Sequence, residues 1–202
     1  MPRKRHHREP RDRSIESELK FRVGGPRDHT RLRSALRTIG AKVEGTYDEE
    51  NFRFQGPGKT TRRTTLRLRV LDGGPRAILT AKGPARFFGG IKVREETEVE
   101  VVDGHATLDL LAQLGFQVLV IYRKHRTAWN LDATTVTLDK LDFGYFVEIE
   151  GPLEVIPTVA HSLGLDPAKA VKDSYSMLAR KQLAAEKKAA KKAAPATATA
   201  SA

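Results

Sequence analysis

Glu16, Glu18, Lys20 and Arg22 occupy alternate positions of the segment Ile15-Glu16-Ser17-Glu18-Leu19-Lys20-Phe21-Arg22-Val23. Successive side chains of an extended strand point to opposite faces, so these four share one face and Ile15, Leu19, Phe21 and Val23 share the other. Carboxylates gathered this way suit a hard cation, and bases suit a polyanion. The pattern recurs along the chain. Thr65, Arg67 and Arg69 oppose Leu66, Leu68 and Val70; Arg94, Glu96, Glu98 and Glu100 run along one face; Lys124 and Arg126 follow Val120 and Tyr122; Glu148 and Glu150 flank Ile149.

Taken singly, each strand suits an ordinary antiparallel sheet with one face in water. Taken together they favour another arrangement. A solvent face mixes in Thr, Ser and Gln, whereas here both signs of charge return at corresponding spacings on many strands. A closed barrel with a polar lumen accounts for this directly, with the charges facing a water-filled interior and helices covering the apolar outside.

The remaining elements follow from breakers and periodicity. Strands are expected near 15–23, 41–54, 64–71, 76–82, 91–102, 116–130, 133–139 and 144–150, separated by Gly/Pro-containing turns. A helix capped by Asp28 or Thr30 carries Leu32, Leu36 and Ile39 and stops at Gly40. Another spans about 104–114, with Leu108, Leu111 and Leu114 on one face. Pro157 opens a short helix ending at Gly164, and Asp166-Pro167 opens the last, with Val171, Tyr175 and Leu178 on its apolar side.

With 202 residues, 39% hydrophobic, the chain allows one domain with a sizeable core plus tails. No apolar run approaches the roughly 20 residues of a membrane span, the N-terminus lacks the apolar stretch of a secretory signal, and cysteine is absent, which makes a cytoplasmic address the expectation. The formal charge is +11, but residues 1–13 and 181–202 carry +4 each. Residues 1–13 therefore read as a disordered basic arm, 14–180 as the domain and 181–202 as a Lys/Ala-rich low-complexity tail, with weak nonspecific nucleic-acid contact through the tails. The histidines form no metal site, no Ser/His/Asp nucleophile arrangement is evident, and Gly56-Pro57-Gly58 lacks the spacing of a phosphate-binding loop. His125 and Trp129 alternate against Lys124 and Arg126 and face outward, while Arg22, Arg63, Arg76 and Arg123 are expected to be exposed.

Seven motifs in order resemble the CYTH family, the triphosphate tunnel metalloenzymes that include thiamine triphosphatases, inorganic triphosphatases and class IV adenylyl cyclases. They are Glu16-x-Glu18-x-Lys20, Leu66-Arg67-Leu68-Arg69, Thr80-Ala81-Lys82-Gly83-Pro84, Arg94-x-Glu96-x-Glu98, Lys124-x-Arg126, Leu138-Asp139 and Phe146-Val147-Glu148-Ile149-Glu150; Ser174-Tyr175 resembles a C-terminal motif. The resemblance implies an α+β fold, an eight-stranded antiparallel β-barrel forming a polar tunnel with helices packed outside. It implies divalent-metal-dependent hydrolysis of a triphosphate-containing small molecule, inorganic triphosphate or a short polyphosphate. Cyclisation of ATP and hydrolysis of thiamine triphosphate are the alternatives within the family. A non-catalytic polyphosphate- or RNA-binding module is the alternative from another class.

By the same resemblance Lys20, Arg67, Arg69, Lys82, Arg94, Lys124 and Arg126 bind phosphate, with Lys20, Lys82 and Glu148 catalytic. Glu16, Glu18, Glu148 and Glu150 would hold Mg2+ or Mn2+, and Glu96, Glu98 and Asp139 are further candidate ligands. One stretch departs from the family. Where Asn/Asp-x-Tyr-Phe-Asp is common this chain has Asn51-Phe52-Arg53-Phe54-Gln55, so Arg53 stands in place of Tyr.

Overall fold

The computed structural model describes residues 14–58 and 64–193. The expected arm 1–13, Arg63 and the end of the tail, 194–202, lie outside the described residues. The elements are β1 (Ser14–Val23), α1 (Pro26–Thr38), β2 (Lys42–Gln55), β3 (Thr65–Leu71), β4 (Ala77–Lys82), β5 (Arg86–Phe88), β6 (Ile91–Val101), α2 (Gly104–Gln113), β7 (Gln117–Leu131), β8 (Thr134–Leu141), β9 (Gly144–Glu150), α3 (Ile156–Ser162) and α4 (Tyr175–Ala193). Eight of the strands close in the order β1-β9-β8-β7-β2-β3-β4-β6, and β6 returns to β1, every pairing antiparallel. The expected barrel is thus present. β5, absent from the sequence reading, is a three-residue strand that follows β4 along β6, opposite residues 91–93.

Alternation decides which face each side chain takes. Leu19, Phe21, Val136, Leu138, Val147 and Ile149 leave the barrel outward and bury against Leu32 and Leu36 of α1 and Ile156, Val159 and Ala160 of α3. Trp129 joins this core, only 1% exposed, with the Arg37 guanidinium 5.6 Å from its ring centre. On the far side, α2 lays Leu111 over Phe54, Leu68, Val70 and Ala77. A third cluster sits at one barrel mouth, where Tyr175 and Ala179 of α4 meet Val120, Tyr122, Leu141 and Phe146. Full burial of each such aliphatic or aromatic side chain contributes about 1.5–3 kcal/mol, so the two outer cores supply most of the stability.

Two helix starts differ from expectation. α1 begins at Pro26 with Gly25 as its cap, and Asp28 reaches back from the first turn to accept the Gly24 N–H at 2.7 Å. Asp166 caps only a single 3-10 turn, Pro167–Lys169, by accepting the Ala168 N–H. The turn ends at Ala170, which is extended, and the next N–H, that of Val171, donates to the Lys20 carbonyl at 2.7 Å instead of continuing a helix. α4 starts at Tyr175, with Ser174 Oγ 3.3 Å from the Met177 N–H.

Candidate active site

The register sets inward-facing charges directly opposite one another on neighbouring strands. Six such rungs join opposite signs: Glu16 with Arg94, Glu18 with Lys92, Lys20 with Glu148, Glu49 with Lys124, Lys82 with Glu96, and Arg126 with Asp139. Two join like charges, Glu18 with Glu150 and Arg53 with Arg67. Opposite charges on facing strands stabilise a sheet and like charges destabilise it, so the two like-charged rungs are the places where the lining by itself is unsatisfied.

The pairs are close and, apart from the half-exposed Glu98, largely shielded from solvent. Lys20 Nζ lies 3.1 Å from Glu148 Oε1 and donates to the Asp173 carbonyl at 3.2 Å. Lys92 Nζ lies 2.7 Å from Glu18, and Lys82 contacts both Glu16 and Glu96. Arg94 Nε lies 2.8 Å from Glu96. Arg126 grips Asp139 with two N–H groups, at 2.7 and 2.6 Å, and reaches Glu148 at 2.5 Å. Glu49, 1% exposed, joins Lys124 at 3.0 Å and Arg69 at 3.6 Å. Glu98 accepts from Thr80 and stands 3.5 Å from Arg67.

These contacts move protonation in opposite directions. Burial alone would raise Glu18, but Lys20, Lys92 and Arg94 overcome it and hold the carboxyl at about 2. Burial likewise works against the charge of Glu148, yet Lys20, Arg126 and Lys124 hold it well below the usual carboxylate range. Glu150 goes the other way, raised to about 8 by burial and by Glu16, its hydrogen-bond partner, with Glu148 and Glu18 adding repulsion. Lys82 falls to about 7 through burial and the nearby Arg67 and Arg94, which outweigh the attraction of Glu16 and Glu18.

Every residue expected to bind phosphate or metal therefore faces the tunnel, and all except Asp139 line one cavity of about 220 Å3. Asp139 lies fully buried beside it, bound by Arg126 and by the Tyr175 hydroxyl at 2.8 Å. Lys92, Glu49, Arg53 and Tyr122 complete the inner surface. Lys92 shares the parity of Arg94 and Glu96, a signal present in the sequence; Glu49 sits among Asp48, Glu50 and Asn51, where consecutive polar residues hide the period. Arg22, Arg76 and Arg123 are exposed, and His125 pairs outside with Asp48 at 2.7 Å.

Nine cationic and six acidic side chains line this cavity, an excess of positive charge that favours an anionic guest. Among the described residues the buried Nε–H groups of Arg67 and Arg69 have no acceptor. Among the described residues no three His, Cys, Asp or Glu side chains form a ready-made metal cage. The Glu18–Glu150 rung with Glu16 alongside nevertheless gathers hard oxygen donors whose mutual repulsion a divalent cation would relieve, so the donor set suits one. A second cavity of about 710 Å3 occupies the opposite mouth, where Glu44, Asp72 and Glu100 lie at the rim and Arg69, Arg126 and Glu150 mark the boundary with the first.

A closed antiparallel barrel around a tunnel of paired charges defines the class of protein. The chain belongs to the CYTH domain family, whose model matches residues 14–163. That family includes triphosphatases and adenylyl cyclase-like enzymes, binds triphosphates and is in general metal-dependent. A Methanocaldococcus jannaschii protein provisionally named an adenylate cyclase is 28% identical over 137 residues, covering 67% of this chain and 76% of the relative. A solved structure from Pyrococcus horikoshii has 26% identity and a TM-score of 0.69, covering 81% of this chain and 98% of the other. A Hippeastrum protein described as a candidate adenylyl cyclase with a dominant triphosphatase activity has 19% identity and a TM-score of 0.64, covering 83% of this chain and 96% of the other, a likeness of fold alone. Among the described residues no helix is long and apolar enough to cross a membrane.

Proposed function

We propose that this protein is a divalent-metal-dependent hydrolase of triphosphates, with inorganic triphosphate or a short polyphosphate as substrate. The observation that carries the reading is the cavity lining, nine bases against six acids with a repulsive acidic rung inside a cationic surround. An anion binder without a metal has no use for that rung, since buried carboxylates lower affinity for a polyanion.

Arg67, Arg69, Arg94 and Arg126 offer forked N–H groups for phosphate oxygens, and Lys20, Lys82 and Lys124 act as movable point charges. Glu16, Glu18, Glu148 and Glu150 would hold Mg2+ or Mn2+, and the chemistry such an ion would supply when bound is neutralisation of phosphate charge and a more acidic water. Glu148 also orients Lys20 and Arg126 towards the reacting phosphate. Glu96, Glu98 and Asp139 are occupied by their bases and take positioning roles. Phosphoryl transfer gains chiefly from such placement and charge neutralisation.

The test is release of orthophosphate and of cyclic AMP from triphosphate, thiamine triphosphate and ATP, with Mg2+, with Mn2+ and with excess chelator. Metal-dependent orthophosphate from triphosphate is expected. Cyclic AMP as the main product from ATP would support the cyclase reading that the name of the Methanocaldococcus relative favours. Tight binding of triphosphate without turnover of any substrate would mean a binding module.

A further inference from the structure

The acidic like-charged rung of the tunnel is accounted for by the cation site above, but the basic one, Arg53 opposite Arg67, is not. Arg67 has partners in Thr80 and Glu98. Arg53 has no carboxylate within ion-pair distance among the described residues, and its guanidinium donates only to the neighbouring Phe54 carbonyl. The register shift between Arg53 and Phe54 leaves Leu119 of the facing strand β7 as the extra residue, while plain alternation along β2 turns Arg53 inward and Phe54 outward. Burial and Arg180 of α4 both disfavour the charge on Arg53, with Tyr122 opposing them. The cavity that Arg53 lines also carries the neutral hydrogen-bonding side chains of Thr65, Tyr122, Ser174 and Ser176, and the β7 residue directly opposite Arg53 is apolar Val120.

A half-buried cation facing a cavity and repelled by neighbours is costly unless an anion meets it. The tunnel also has a direction. Its other mouth is lined by Glu44, Asp72 and Glu100 against Arg76, which stands 3.8 Å from Glu100, so its acids outnumber its bases and a phosphate chain longer than the main site holds extends more favourably towards Arg53.

We infer that Arg53, with Arg67 opposite and the exposed Arg180 of α4 adding positive charge from outside the cavity, forms an additional anion subsite for a fourth phosphoryl group. The preferred substrate class is then linear inorganic polyphosphate longer than three units. The inference rests on the triphosphatase reading for the main site but concerns a separate part of the tunnel.

The test compares equilibrium binding of tripolyphosphate and tetrapolyphosphate, by calorimetry in Mg2+, to the wild-type chain, Arg53→Gln, Arg180→Gln and, as an exposed charge-loss control, Arg123→Gln. Arg53→Gln should raise the Kd for tetrapolyphosphate about tenfold and that for tripolyphosphate less than about threefold. Arg180→Gln should shift the ratio of the two constants in the same direction by about threefold, and Arg123→Gln should leave the ratio alone. An equal effect of Arg53→Gln on both ligands, or on neither, overturns the subsite; should that variant misfold, an unchanged ratio in Arg180→Gln does so. Phosphate release measured in parallel separates the two readings. An Arg53-dependent preference without hydrolysis by the wild type would remove the hydrolase but keep the subsite, whereas hydrolysis with a ratio indifferent to Arg53 removes the subsite alone.

Discussion

Lys20 Nζ lies 4.1 Å from the centre of the Tyr175 ring. The first strand and the last helix thus meet at one point, held by the cation over the ring, by Lys20 donating to the Asp173 carbonyl and by the Tyr175 hydroxyl on Asp139. Tyr175→Phe keeps the ring and removes the hydroxyl. It should cost about 1 kcal/mol of stability in urea unfolding, because Arg126 still satisfies Asp139. Tyr175→Ala should cost about 3–5 kcal/mol by emptying the cluster formed with Phe146 and Tyr122. Equal losses for the two variants would mean that the hydroxyl, not the ring, ties α4 down.

Glu49→Gln is expected to be the most damaging single charge removal in the barrel. The carboxylate stands among Lys124, Arg69 and Arg126, and its loss leaves buried bases to repel one another. Breaking a buried pair from one side costs about 3–5 kcal/mol, measurable as a lowered denaturation midpoint at unchanged m-value. A change below about 1 kcal/mol would mean that water already screens the network.

Glu16→Gln and Glu148→Gln should each reduce metal-dependent triphosphate hydrolysis by at least about tenfold, roughly 1.4 kcal/mol of transition-state stabilisation. At least one should raise the metal concentration needed for half-maximal rate. Wild-type turnover and metal response in both would leave these carboxylates as counter-ions only.

His29 gives the stability a defined pH dependence. Burial against the barrel lowers its pKa, and the neutral ring donates from Nε2 to the Phe146 carbonyl at 3.0 Å. The unfolded chain therefore binds a proton before the folded one does. Its contribution is complete above the unfolded value of about 6.5 and is lost as pH falls from there through the lower folded value. Denaturant titrations of wild type and His29→Gln between pH 7.5 and pH 5, a range of about 2.5 units around that value, should show the wild type losing stability faster. Parallel curves would assign the acid sensitivity to other groups.

Where charge strictly alternates with apolar residues, the amino-acid order already discloses which side chains line the tunnel. Glu16, Lys20, Arg94 and Glu148 are legible because period two leaves each one choice of face. Asp48, Glu49 and Glu50 break that rule: three acids in a row carry no phase, and only the rung opposite Lys124 selects Glu49 as the inward one. β5 was hidden between Gly83-Pro84 and Gly89-Gly90, too short for any period. The start of α4 was obscured by the strong Asp166-Pro167 signal, which local chemistry satisfies with a single 3-10 turn while the Val171 N–H bonds to Lys20 instead of continuing a helix. Such long-range bonds lie beyond what propensity can express.

Closure of the barrel through β1 also has a consequence for synthesis of the chain. β1 is made before the other strands of the barrel, yet one of its edges waits for Glu96, 82 residues after Ser14, and the other for β9. Lys20 acquires the Asp173 carbonyl only 153 residues later. Throughout that interval an apolar strand face and two open edges stand unpaired, the form most prone to wrong association between nascent chains. The order Glu16, Glu18, Lys20, Arg22 along β1 sets like charges against like only when two copies pair parallel and in register, so during this wait the charges oppose that one mode of association and leave antiparallel pairing to be outcompeted by the chain's own later strands.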